Sequence, residues 1–185
     1  LYVAELFRSY NNERKIFETL MLGEKAGINT INIGFPTNAT MAKYKKITGS
    51  KIQVISQVSY GKNESTCLDG INEAIDYGAD IIQVIGNDTD VLTRDGKTHI
   101  VGKMLDNIRS QGYTAGLGAH AVRALQICKD EGIIPDYYMK TMHHDNYWSA
   151  HPKENREYFD VMNGRSKDHN HWHDNLWCTY PEETI

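Results

Sequence analysis

The stretch INEAIDYGADIIQVIG, residues 71–86, decides the fold. It joins a helix-like segment to Gly78 and then to a short apolar run from Ala79 to Ile85. Glycine is the usual residue directly after a helix end, because it adopts the left-handed backbone conformation without a steric cost. A short run rich in Ile and Val indicates a strand that is covered on both faces. The stretch therefore predicts a unit of helix, glycine turn and strand.

This unit recurs along the chain. The same order of helix, glycine and apolar run occurs at Gly27, Gly112 and Gly132, and a further strand follows a short helical stretch from Ala39 to Ile47. The predicted strands are Ile28–Ile33, Lys51–Tyr60, Ala79–Ile85, Tyr113–Gly118 and Asp136–Met142. Strands that alternate with helices of about 10 to 15 residues are typical of βαβ units and a parallel sheet.

Two α/β architectures fit this alternation, an open doubly wound sheet and a TIM-type (β/α)8 barrel. No glycine-rich phosphate-binding fingerprint follows the first predicted strand. A barrel gathers the carboxyl ends of all its strands into one mouth, while an open sheet gathers mainly those beside its switch point. The predicted strands end in polar residues, namely Gln57, Ser59, Asn87, Asp88, His120, His143 and His144. The barrel is therefore the favoured prediction.

The chain is short for a complete barrel, which typically has about 250 residues, since it has 185. Its first residues lead directly into a helix, for which Asn11 or Asn12 is the predicted N-cap. Near its other end, Thr179 and Glu182 have the capping-box spacing of a further helix. We therefore expect one partial barrel-type domain, residues 1–185, with roughly strands two to six. The alternative is a complete smaller α/β domain.

Composition and charge narrow the class of protein. The chain is 40% hydrophobic and carries a net charge of -4 at pH 7, which suits a soluble globular protein and argues against a nucleic-acid partner. No apolar run approaches the roughly 18 residues of a membrane span, so no membrane partner is expected. Three widely spaced cysteines and the lack of a visible signal peptide favour a cytoplasmic location. The sequence leaves the oligomeric state open.

Histidines gather in the last third of the chain. Six of the eight lie between His143 and His173, in the segments KTMHHDNYW (140–148) and DHNHWHDN (168–175). Residues 145–178 form a predicted long loop that is rich in histidine and aromatic residues. Long loops within compact domains are typically lids or binding loops. We expect this loop to close over the mouth of the barrel.

Imidazoles at neighbouring strand ends suit a metal site. The candidate ligands of a divalent ion such as Zn, Mn or Fe are His120, His143, His171 and His173. The alternative is that these histidines work without metal, as acid–base groups or in polar recognition. His144 and Asp145 are candidate catalytic acid–base residues. The side chains expected to bind a small-molecule substrate are Gln57, Asn87, Asp88 and Trp148.

Lys140 is a second candidate catalytic residue. In the predicted strand it shares a face with Tyr138 and His144, while Tyr137 and Met139 occupy the other face. A buried lysine is costly unless it is paired or functional, and a desolvated amine suits Schiff-base chemistry on a carbonyl substrate. A lysine on the sixth strand also resembles the layout of class I aldolases. The alternative is a lysine that pairs with a carboxylate or orients the substrate.

Several segments resemble a group of poorly characterised bacterial barrel proteins. They are IFETL (16–20), GINT (27–30), PDYYMKTMHHDNYWSA (135–150), HDNLWC (173–178) and PEETI (181–185). The resemblance implies a barrel that continues for two more strands, with a loose connection to carbohydrate metabolism. It implies no particular reaction and no catalytic residues.

The sequence thus predicts an enzyme, namely a lyase, an isomerase or a metal-dependent hydrolase. Its substrate would be small and polar, either sugar-like or carbonyl-bearing, and strand-end histidines would serve as metal ligands or acid–base groups. Two rival hypotheses remain. One is a Schiff-base lyase or aldolase that acts through Lys140, and the other is a non-catalytic ligand-binding barrel.

Overall fold

The structure, a computed structural model, describes residues 4–141, in which parallel strands alternate with helices. The strands are β1 (Thr30–Gly34), β2 (Gln53–Val58), β3 (Ile81–Val84), β4 (Ala115–Ala119) and β5 (Tyr137–Lys140). The helices are α1 (Ala4–Tyr10), α2 (Glu13–Lys25), α3 (Asn38–Thr48), α4 (Glu64–Asp76), α5 (Gly86–Arg94), α6 (Thr98–Ser110) and α7 (Val122–Asp130), with a 3-10 turn at Phe35–Thr37. Within residues 4–141, no helix is long and apolar enough to cross a membrane.

The five described strands form one parallel sheet in the sequential order β1-β2-β3-β4-β5. Sequential order is that of a barrel wall, whereas a doubly wound sheet reverses its order at a switch point. Neighbouring strands lie about 4.8 Å apart, so β1 and β5 would be about 19 Å apart in a flat sheet. Asn32 Nδ2 of β1 nevertheless lies 3.1 Å from Met139 Sδ of β5. The sheet is therefore curled into a half-barrel, and the predicted incomplete TIM-type fold is confirmed.

The main core lies between the outer face of the sheet and the helices. Val58, Ile82, Val84 and Leu117 on the strands are at most 1% exposed, and the largest buried cluster joins them to side chains of α4 and α6. Each side chain of this size stabilises the fold by about 1.5–3 kcal/mol when it leaves water. A second cluster packs α2 and α3 against β1 and β2 around Tyr44.

The glycine turns that decided the fold are present. Gly78 and Gly112 have φ angles of 77° and 84°, in the left-handed region that favours glycine at the end of a helix. Asn12 is the N-cap of α2, as predicted, and its side chain accepts a hydrogen bond from the Lys15 amide at 3.1 Å.

The strands are shorter than predicted, because the residues that flank them form loops and turns. The largest difference follows β3, where α5 begins at Gly86 without a loop. Asn87 and Asp88, predicted as strand-end residues, therefore lie in the first turn of α5. The predicted end of the last strand at Met142 lies outside the described residues.

Candidate active site

The inner face of the half-barrel carries a network of neutral polar side chains. Gln57 Nε2 donates to Asn32 Oδ1 at 2.6 Å, and Asn32 Nδ2 lies 3.4 Å from Gln83 Oε1. The Tyr137 hydroxyl donates to the same Gln83 oxygen at 2.9 Å. Barrel interiors are usually filled by branched apolar side chains. This interior instead offers amide and hydroxyl groups from four of its strands.

Glycine on β4 makes room for this network. A Cβ atom at Gly116 would lie 2.2 Å from Cζ of Tyr137, its register partner on β5, so only glycine lets the Tyr137 phenol cross the strand. Burial raises the pKa of the Tyr137 hydroxyl to about 12, so the hydroxyl remains a hydrogen-bond donor at neutral pH.

His120 directly follows β4 and is held by a buried carboxylate. Its Nδ1 atom lies 2.7 Å from Asp90 Oδ2, and the Asp90 side chain is fully buried while that of His120 is 18% exposed. The backbone amides of His120 and Ala121 also donate to Asp90 Oδ1, at 3.1 Å and 3.3 Å. A carboxylate beside Nδ1 favours the tautomer in which Nδ1 carries the proton and Nε2 has the lone pair.

The short link between β3 and α5 positions this pair. Because α5 begins immediately after β3 and packs against β4 and α7, Asp90 on its second turn reaches the end of β4. Gly86 leaves space for the imidazole, since a Cβ atom there would lie 3.0 Å from His120 Cε1. An oriented, partly exposed imidazole at a strand end can accept and return a proton.

Asp88 is bound into the neighbouring loop. Its Oδ2 atom accepts hydrogen bonds from Ser59 Oγ at 2.8 Å and from the Tyr60 amide at 2.6 Å. In the described part of the chain, Asn87 Oδ1 is buried without a hydrogen-bond partner. Both residues were expected to bind substrate, and this role stays a prediction.

Lys140 is the last residue of β5 and pairs in register with Ala119, the residue before His120. Alternation gives it the same face as Tyr138, which borders an outer cavity of about 390 Å³ beside α7. Its Nζ atom donates to the carbonyl oxygen of Thr141, beyond the end of the strand. The backbones of Lys140 and of the residue before His120 are thus neighbours at the ends of β5 and β4.

Six of the predicted site residues lie outside the described residues, namely His143, His144, Asp145, Trp148, His171 and His173. Within residues 4–141, no three His, Cys, Asp or Glu side chains form a group that could hold a metal ion. The metal site that combines His120 with later histidines stays a prediction, and so does the loop 145–178.

Sequence reasoning missed Asp90, Asn32 and the inner position of Tyr137. The sequence could have revealed Asn32, because its amide side chain interrupts the apolar run of its strand. No sequence pattern indicated Asp90, since its role depends on a helix that the sequence did not predict.

Comparisons with known proteins support the fold. One similar solved structure is QR15, an aldolase, with 18% sequence identity and a TM-score of 0.54 over 70% of this chain. Another is a Coccidioides immitis protein assigned as a deoxyribose-phosphate aldolase, with 12% identity and a TM-score of 0.54 over 71% of this chain. The chain spans 61% and 55% of the lengths of these two structures. No protein-family model and no curated protein matches the chain.

Proposed function

We propose that this chain carries part of the active site of an aldolase-type lyase, which forms a Schiff base through Lys140 and transfers protons through His120. The observation that carries the proposal is the register of β4 and β5. It pairs Lys140 with Ala119, so the backbone of Lys140 lies next to the residue that precedes the Asp90-bound His120. The Lys140 side chain leaves β5 on the outer face, and its Nζ atom reaches past the strand end to the Thr141 carbonyl. The aldolases among the similar structures support the same reaction class at the level of the fold.

The proposed reaction begins with an uncharged Lys140 amine. The amine adds to the carbonyl carbon of the substrate, the carbonyl oxygen leaves as water, and the imine nitrogen takes up one proton from solvent to give a protonated imine. His120 Nε2 then removes the proton of the hydroxyl group on the β-carbon. The bond between the α- and β-carbons breaks, an aldehyde leaves, and the electron pair enters the imine as an enamine. Protonation of the enamine carbon and addition of water release the second product and restore the lysine.

Asp90 serves this reaction without touching the substrate. Its carboxylate fixes the tautomer in which Nε2 is basic, and it balances the charge of the imidazolium that forms when Nε2 accepts a proton. The backbone amides of His120 and Ala121 donate to the Asp90 carboxylate and hold both of its oxygens in position. Asp90 is therefore a positioning residue in this proposal.

Deuterium exchange tests the proposal without knowledge of the natural substrate. Imine formation acidifies the α-hydrogens of a small ketone, so the protein should accelerate their exchange in heavy water, measured on hydroxyacetone by proton NMR. Lys140→Met should reduce the rate to the uncatalysed background, and His120→Asn should lower it by about 100-fold. The matched controls are Lys46→Met and His99→Asn, at exposed helical positions. Exchange that is equally fast in Lys140→Met would refute the proposal.

A further inference from the structure

We infer that the inner face of the half-barrel is a binding site for a neutral, polyhydroxylated carbon chain. The site consists of Asn32, Gln57, Gln83 and Tyr137, here called the amide wall. The inference deepens the proposed function by giving the class of substrate, and it rests on that function only for the reaction that follows binding.

Hydrogen bonds fix the orientation of the amide groups. Gln57 donates to Asn32, Asn32 donates to Gln83, and the Tyr137 hydroxyl donates to Gln83 as well. The carbonyl oxygen of Gln83 thus receives two donors. Among residues 4–141, the buried NH2 group of Gln83 donates only to the Met139 thioether, at 3.5 Å, and a thioether is a weak acceptor.

This pattern leaves capacity for a ligand at both ends of the amide wall. A buried amide donor gains from a better acceptor than sulfur, and a hydroxyl oxygen provides one. At the other end, within residues 4–141, the Gln57 amide uses its NH2 group as a donor and keeps its carbonyl oxygen as an acceptor. A hydroxyl group both donates and accepts, so a chain of hydroxyls matches this alternation of acceptor and donor.

The amide wall carries no charged side chain, and this favours a neutral ligand. Among the described residues, all of the side chains that join this network are neutral. A carboxylate or phosphate at this depth would lose its hydration without a counter-ion, which costs far more than the burial of a hydrogen-bonded hydroxyl. The wall therefore favours the neutral segment of a substrate over a charged one.

Binding of xylitol, measured by calorimetric titration, tests the inference. Xylitol has five hydroxyl groups and no carbonyl, so it cannot form a Schiff base. We expect it to bind to the protein, and we expect xylonate, which replaces one end with a carboxylate, to bind at least 10-fold more weakly. Gln83→Leu and Gln57→Leu should each weaken xylitol binding at least 10-fold. Gln53→Leu is the matched control, because Gln53 lies on the same strand and face as Gln57 but at its exposed amino end.

The variants separate this inference from the proposed function. Lys140→Met should keep full xylitol affinity even though it loses exchange activity. Thermal melts of each variant establish folding, and Gln57→Leu provides the test if Gln83→Leu does not fold. No xylitol binding, equal binding of xylonate, or unchanged affinity in the folded leucine variants would overturn the inference, whatever the exchange assay gives.

Discussion

At the scale of single residues, the contact between Asp90 and His120 contributes most to the proposed chemistry. The two residues are 30 positions apart, and their 2.7 Å contact depends on how α5 meets the end of β4. The sequence predicted His120 at a strand end, since polar residues after an apolar run mark such ends. The sequence could not predict the partner of His120, because Asp88 and Asp95 stand close to Asp90 along the chain and only packing selects one of them.

Asp90→Asn tests the positioning role. The amides of His120 and Ala121 would hold the asparagine oxygen, so its NH2 group would face Nδ1 and favour the tautomer with the proton on Nε2. We expect hydroxyacetone exchange to fall by about 100-fold or more, and nitrogen NMR of His120 to report the changed tautomer. Asp106→Asn, at a side chain that is 80% exposed, should change neither. An unchanged tautomer in a folded Asp90→Asn variant would contradict the role.

At the scale of elements, the strands could be predicted from the sequence, whereas the helices beside them could be predicted less well. Apolar runs indicated all five strands, four of them after glycine turns, because burial on both faces leaves a continuous apolar pattern. The helix α5 was missed, since Gly86 and the polar residues after it resemble a loop. The face of each β5 side chain followed from simple alternation, which separates Tyr137 and Met139 from Tyr138 and Lys140 as predicted.

The packing of β5 on β4 gives a prediction at this scale. Gly116→Ala would bring a methyl group against the Tyr137 ring, so we expect a loss of about 1–3 kcal/mol in the free energy of unfolding. Gly70→Ala is the matched control. No atom lies within 4 Å of its added Cβ, and it removes a flexible residue from α4, so it should stabilise the protein by about 0.5–1 kcal/mol. Chemical denaturation measures both values, and a Gly116→Ala variant as stable as the unaltered protein would contradict the close approach.

At the scale of the whole molecule, the curvature of the sheet brings side chains from successive repeats together on one concave face. The repeat predicted parallel strands, and polar strand ends favoured a barrel over an open sheet. The contact between β1 and β5 side chains then brings the two ends of the described sheet together. The polar interior was less predictable, because each of four strands contributes only one side chain to it, and the network arises only when these strands share one concave face.

Borohydride trapping tests the central claim, that Lys140 at this mouth forms a Schiff base, most directly. The protein is incubated with acetaldehyde, the imine is reduced with borohydride, and peptide mass spectrometry locates the resulting ethyl group. We expect one dominant ethylated site, at Lys140, which persists in His120→Asn and in Lys46→Met and is absent in Lys140→Met. Labelling spread evenly over exposed lysines, or a dominant site elsewhere with Lys140 unlabelled, would contradict it.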